Sequence, residues 1–153
     1  MINRCGLYNG GHVLQITEEV HALDSTRGNY AYLINGEETI LVDTGRPGQG
    51  KGILNDLITI GVKPDKIQHI LITHQDTDHV GAVEADSPGL FQNAALYIGE
   101  VENRYLTGEV RRKVIYHLYK LPQVTINNEK VLLQDGEVIN IDGIKIECFL
   151  VPG

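Results

Sequence analysis

The sequence has little cysteine, no tryptophan and no long apolar run. Its two cysteines, Cys5 and Cys148, do not form a CxxC pair, so we expect free thiols and neither a disulfide framework nor a zinc knuckle. Nowhere do about 18 apolar residues follow one another, and the N-terminal segment has no apolar core of the kind found in secretion signals. We therefore expect a cytoplasmic protein that does not cross a membrane.

Positive charge is also scarce. The chain has 13 Lys and Arg against 20 Asp and Glu, a net charge of −7, and no basic run. Neither nucleic acid nor an anionic membrane surface is expected as a partner. With 153 residues and 42% apolar content, the chain can bury the core of one domain, residues 1–153. A small-molecule substrate fits this composition best.

Apolar periodicity predicts an α/β or α+β fold. One apolar stripe, Ile53, Leu54, Leu57 and Ile58, predicts a helix, and Gly61 stands where a helix C-terminus is expected,. A second helix is predicted through residues 111–120, with Tyr116, His117 and Tyr119. Strands are predicted at residues 12–17, 30–35, 39–43, 67–73, 94–99, 137–141 and 145–151.

Residues 39–73 are predicted to form a β-strand, a crossover helix and a second strand. Such units are almost always right-handed, and their two strands run parallel. The first strand ends at Asp43 and the second at His74, so both residues are expected at the same edge of the sheet. In open α/β sheets, ligands bind at this edge.

Four side chains with metal-binding atoms follow the second strand: His74, Asp76, Asp78 and His79. In an extended segment alternate residues point the same way, so His74 and Asp76 can share one ion while Asp78 and His79 reach a second. Histidine nitrogen and carboxylate oxygen suit zinc, iron and manganese. The alternative is a solvated polar turn in which Asp78 caps a helix that begins near Val80.

Three segments resemble the metallo-β-lactamase-like hydrolase superfamily. Residues 73–81, THQDTDHVG, resemble its T-H-x-H-x-D-H-x-G signature; residues 39–45, TILVDTG, resemble the strand and aspartate that precede it; and residues 135–153 resemble the stretch before its next metal histidine. The resemblance implies the N-terminal half of the αβ/βα four-layer sandwich. It also implies an incomplete domain, truncated before the third metal histidine.

The resemblance further implies the roles of the site residues. His74 and Asp76 would bind one metal ion, and Asp78 and His79 a second. Asp78 would also be catalytic by orienting the nucleophile. Asp43 would lie near the site and help to fix the geometry of the ligands. Zinc is the expected metal, with iron or manganese as options because Asp76 stands where the family usually has histidine. The implied activity is hydrolysis of a small-molecule ester, thioester, lactone, amide or phosphoester by a metal-activated water.

Three other functions stay open at this point. Asp76 is also compatible with an iron-dependent oxidoreductase related to the di-iron flavoproteins. Residues 45–51 fit the G-x-x-x-x-G-K of a nucleotide-binding loop, although Gly52 replaces the Ser or Thr that binds magnesium,. The chain alone is expected to be a weakly active or inactive half-domain. A second copy is then expected to cover the exposed sheet face around residues 39–43, which predicts a homodimer.

Overall fold

The computed structural model describes residues 13–84, 91–110 and 126–151. Three helices, α1 (Gly50–Ile60), α2 (Thr77–Glu84) and α3 (Glu100–Leu106), follow the fourth, fifth and sixth strands. A seven-stranded sheet has its strands in chain order: β1 (Val13–Gln15), β2 (Val20–Leu23), β3 (Tyr32–Asn35), β4 (Thr39–Val42), β5 (Ile67–Ile72), β6 (Ala95–Gly99) and β7 (Lys130–Leu133). A separate two-stranded sheet pairs β8 (Val138–Ile141) with β9 (Ile144–Glu147).

The main sheet changes direction at β4. Strands β1 to β4 form an antiparallel meander, and β4 to β7 are parallel. The predicted hairpin is confirmed by the pairing of Asn35 with Thr39, and the predicted parallel unit over residues 39–73 by the pairing of β4 with β5. Strands β2 and β7 were not predicted. The helix predicted at 111–120 and its Tyr116, His117 and Tyr119 lie outside the described residues, as do His12 and Cys5.

Helix α1 ends where the sequence predicts but buries a different face. Gly61 has a left-handed backbone, φ 87°, and its N–H bonds to the carbonyls of Leu57 and Ile58, as a C-terminal glycine does. Ile53 and Leu57 are fully buried, whereas Ile58 is 67% exposed. The expected place of Ile58 in the apolar stripe is wrong because the buried face extends instead toward Asp56, which is 1% exposed.

The main core lies between one face of the sheet and the helices. The register sets Leu33, Leu41, Ile70 and Leu96 side by side across β3 to β6, and all four are fully buried. Ile53 and Leu57 of α1 and Val80 of α2 complete the same cluster. Because this packing holds α1 and α2 against adjacent parallel strands, the segments that follow β4 and β5 are brought together.

The opposite face of the sheet is partly covered. Ile40 alternates with Leu41 and is fully buried, so the expected exposure of the sheet face around residues 39–43 is wrong at this position. The second sheet lies beside the turn between β3 and β4, since a Cβ on Gly36 would lie 3.7 Å from Ile144 Cδ1. Among the described residues, no helix is long and apolar enough to span a bilayer.

Candidate metal centre

The polar cluster lies at the carboxyl ends of β4 and β5. Asp43 directly follows β4, and its N–H donates to the carbonyl of Leu71 at 2.8 Å. Its backbone has a positive φ of 58°, which turns the chain away from the sheet. His74 follows β5 after Thr73, and α2 begins at Thr77. The two strand ends therefore meet at one edge, as the parallel pairing predicts.

His74, Asp78 and His79 converge at this edge. Each offers one donor atom, and the three atoms all lie within 4.8 Å of one another. The imidazole rings of His74 and His79 lie close together, with centroids 3.9 Å apart and planes tilted by 46°. All three side chains are partly buried. Two imidazole nitrogens and a carboxylate oxygen at this spacing form a donor set that fits a zinc-like divalent cation.

Asp43 lies behind the histidines and is 4% exposed. Its carboxylate accepts hydrogen bonds from the Thr73 N–H at 2.8 Å, the Thr73 hydroxyl at 2.7 Å and His79 Nδ1 at 2.8 Å. Because a carboxylate can only accept, the ring proton of His79 lies on Nδ1. The Nε2 lone pair of His79 is therefore the one available to a cation.

The tautomer of His74 is set by the hydroxyl of Thr73. Thr73 Oγ1 lies 3.0 Å from His74 Nδ1. The hydroxyl has one hydrogen, and it is donated to Asp43, so Nδ1 of His74 must be the donor to Oγ1. Nε2 of His74 then carries the free lone pair. Asp43 thus sets the tautomer of His79 directly and that of His74 through the hydroxyl of Thr73.

Asp76 borders the group but is not one of the three converging residues. Its Oδ2 lies 3.6 Å from His74 Nε2, and its Oδ1 accepts from the side-chain amide of Gln75 at 3.0 Å. The Asp76 carbonyl accepts from the His79 N–H at 2.8 Å and the Val80 N–H at 3.2 Å.

Because α2 begins at Thr77, the alternative in which Asp78 caps a helix that starts near Val80 is wrong.

The first turn of α2 is packed against the loop that follows β4. Thr44 donates to the His79 carbonyl from both its N–H, at 2.7 Å, and its hydroxyl, at 3.0 Å. The Gly81 N–H donates to the Gly45 carbonyl at 2.9 Å. A Cβ on Gly81 would lie 2.7 Å from the carbonyl carbon of Arg46 and would collide with Pro47. The glycine of the signature is therefore explained by this close contact.

The glycines of residues 45–52 have a packing role as well. A Cβ on Gly45 would lie 2.8 Å from Thr26 Cγ2, and one on Gly52 would lie 2.6 Å from Ser25 Cβ. Gln49 closes the loop, since its side-chain oxygen accepts from the Arg46 N–H at 2.6 Å. These contacts explain Gly45 and Gly52 by packing.

Two residues that contact the segment carrying the cluster were not found from the sequence. Asn29, in the connection between β2 and β3, donates from Nδ2 to Asp78 Oδ2. Glu102 of α3 accepts from the Gln75 N–H at 3.0 Å. Glu102 follows the parallel strand β6, so its place near the site could have been expected from the sequence. Asn29 belongs to no motif and follows no parallel strand.

Sequence similarity to known proteins covers most of this chain. The family model of the metallo-beta-lactamase superfamily matches residues 25–141. An uncharacterised protein of Bacillus subtilis (strain 168) is 38% identical over 79 residues, 51% of this chain and 32% of that protein. Hydroxyacylglutathione hydrolase of Serratia proteamaculans (strain 568) is 26% identical over 134 residues, 86% of this chain and 42% of that enzyme.

A solved structure shows the same fold. The subclass B3 metallo-beta-lactamase MEM-A1, isolated from a soil metagenome library, superposes with a TM-score of 0.74 at 21% identity, covering 92% of this chain and 53% of that chain. The chain therefore belongs to the metallo-beta-lactamase superfamily, and its fold corresponds to about half of that enzyme's chain. The family and fold class predicted from the sequence are confirmed.

Proposed function

We propose that this chain carries metal ligands of a metal-dependent hydrolase whose substrate is a small-molecule ester, thioester, lactone, amide or phosphoester. The observation that carries the proposal is the convergence of His74, Asp78 and His79, with their donor atoms within 4.8 Å of one another. Superfamily membership and the similarity to a hydroxyacylglutathione hydrolase support a hydrolytic reaction.

The proposed roles follow from the hydrogen bonds at the site. His74 and His79 would hold a divalent cation through Nε2, Asp78 through its carboxylate, and Asp76 beside His74 would complete sites for two ions. A bound divalent cation supplies Lewis acidity, which polarises the scissile bond and lowers the pKa of water. Asp78 would also accept a hydrogen bond from the attacking water and so orient it. Zinc is proposed first, and iron or manganese because Asp76 is a carboxylate.

Asp43 and Thr73 would act without touching the substrate. Both lie on the strand side of the histidines, and their hydrogen bonds keep a proton on Nδ1 of each ring. An imidazole with the proton at Nδ1 presents only one lone pair, at Nε2. The pair therefore selects the ligand atom of both histidines before any cation arrives.

The test is metal content and hydrolysis measured together. The wild-type protein is expected to bind one to two transition-metal ions, and both His74→Ala and Asp78→Ala to lose metal and hydrolysis in parallel. His69→Ala is the matched control, because His69 contacts Tyr97 on the sheet, 3.2 Å away, rather than the cluster. Full metal content in both site variants would contradict the proposal. Bound iron with electron transfer and no hydrolysis would favour the oxidoreductase alternative.

A further inference from the structure

Asp78 is held by a side chain from a distant part of the chain. Asn29 Nδ2 donates to Asp78 Oδ2, a contact between residues 49 positions apart. Both side chains are partly buried. A carboxylate has two oxygens, so the hydrogen bond at Oδ2 does not itself occupy Oδ1. The contact restricts the rotation of the carboxylate, and the carboxylate can still bind a cation.

The backbone of Asn29 is held in place by Thr26. Its N–H donates to the Thr26 carbonyl at 3.0 Å. Thr26 is fully buried, and its hydroxyl donates to the Leu23 carbonyl at 2.7 Å and accepts from the Ala31 N–H at 2.8 Å. The backbone that carries Asn29 is therefore tied to the end of β2 rather than free to follow Asp78.

Arg46 supports the orientation in which the nitrogen of the Asn29 amide faces Asp78. Arg46 Nη2 lies 3.5 Å from Asn29 Oδ1 and is a donor only,. The amide oxygen is therefore turned toward Arg46, and the amide nitrogen toward the carboxylate. Arg46 lies in the loop after β4 that also packs against α2, so the three residues connect that loop, the β2–β3 connection and the cluster.

We infer that Asn29 is a positioning residue for Asp78: its amide orients the carboxylate toward the imidazoles of His74 and His79, and Arg46 orients the amide. The inference rests on the proposed function, because it concerns a cation that Asp78 helps to hold. A purely structural role would tie two loops together without changing how the cluster binds a cation. The two roles predict different results for metal binding.

The experiment measures Co²⁺ binding to the full chain by calorimetry and by the visible absorption of the bound ion. Asn29→Ala is expected to bind Co²⁺ about 10- to 100-fold more weakly, as found for partners behind metal ligands, with altered absorption bands. Asn140→Ala is the matched control, since its side chain also accepts one loop hydrogen bond, from the Gly143 N–H at 2.8 Å, but in the β8–β9 hairpin. It should leave the affinity unchanged.

Two further variants keep the inference testable if Asn29→Ala does not fold. Asn29→Gln retains an amide donor and should lose less affinity than Asn29→Ala. Arg46→Ala removes an exposed side chain and should weaken Co²⁺ binding without lowering the metal-free melting temperature. Wild-type affinity and bands in all Asn29 and Arg46 variants that fold, with binding lost in Asp78→Ala, would overturn the inference alone. Failure of the wild type itself to bind Co²⁺ would overturn the proposed metal site and this inference with it.

Discussion

Asp43 accepts three of the hydrogen bonds that organise the site. Three donors reach its carboxylate, two from Thr73 and one from His79, and it is 4% exposed. Buried donors that lose their acceptor are costly because water does not replace it. The residue therefore stabilises the strand ends and orients the proposed ligands at the same time.

Variants of Asp43 and Thr73 test the effect on stability and the effect on metal binding. Asp43→Ala is expected to destabilise the fold by about 1–3 kcal/mol and to weaken metal binding about 10- to 100-fold. Thr73→Val should weaken metal binding through His74, whereas Thr73→Ser, which keeps the hydroxyl, should not. Urea unfolding and metal titration measure the two quantities. Equal metal affinity in the Val and Ser variants would contradict the tautomer argument.

Asp56 gives a pH-dependent prediction. It is 1% exposed, its Oδ2 accepts from the Ser25 N–H at 2.9 Å, and burial raises the pKa of Asp56 above its ordinary value of 3.8. Between that value and the raised pKa the folded chain binds more protons than the unfolded chain. The free energy of unfolding contributed by this group is therefore greatest at low pH and falls as pH rises through the raised pKa.

Asp56→Asn should remove this dependence, because asparagine keeps an oxygen for the Ser25 N–H and does not ionise. Urea unfolding across a pH series is expected to show the variant gaining stability relative to the wild type as pH rises from about 4, the ordinary aspartate range. The exposed Asp65 supplies the control variant Asp65→Asn. A stability difference that does not change with pH would show that the Asp56 carboxylate does not titrate as argued.

At the scale of elements, the contact of α2 with the loop after β4 decides where the ligands stand. Thr44 and Gly45 bond to the first turns of α2, and Gly81 leaves no room for a side chain against Arg46 and Pro47. Asp78 and His79 are carried by that helix. Any separation of α2 from the loop would move both residues away from His74.

Gly81→Ala is therefore expected to destabilise the fold by about 1–3 kcal/mol, the usual result of overpacking, and to weaken metal binding. Gly36→Ala is the control, because a Cβ there meets its nearest neighbours, Glu38 O and Ile144 Cδ1, at 3.6 and 3.7 Å, which is ordinary contact. Thermal melts and metal titration of the two variants test this. A Gly81→Ala variant as stable as Gly36→Ala would contradict the close-packing argument.

At the scale of the whole molecule, the sheet face opposite α1 and α2 is unevenly covered. Ile40 is fully buried, whereas Val42, Leu71 and Tyr97 on the same face are only partly buried. His69 adds a polar contact to the Tyr97 hydroxyl at 3.2 Å. The face is thus smaller and more polar than the apolar surface expected from the sequence.

Association of two copies through this face stays a prediction. Light scattering at low micromolar concentration is expected to report a dimer, and Leu71→Glu to weaken it by placing a charge on the face. Ile58→Glu is the control, since Ile58 is exposed on α1. A monomer with a cooperative melt at that concentration would show that the partly buried face does not need a partner.

The sequence by itself determined the local units and the identity of the polar cluster. The hairpin of β3 and β4, the parallel pair of β4 and β5, and the glycine that ends α1 depend on periodicity and spacing over a few tens of residues, so they could be predicted. The same spacing placed Asp43 and His74 at one sheet edge. The family signature then named His74, Asp76, Asp78 and His79 as candidate ligands.

Only the tertiary structure decided which distant residues meet. The contacts of Asn29 with Asp78 and of Glu102 with Gln75 join segments 49 and 27 positions apart, and no local pattern encodes a pairing at such a separation. The exposure of Ile58 and the burial of Ile40 likewise depend on what packs against each face. Periodicity identifies apolar positions, but burial depends on the neighbours that the whole fold supplies.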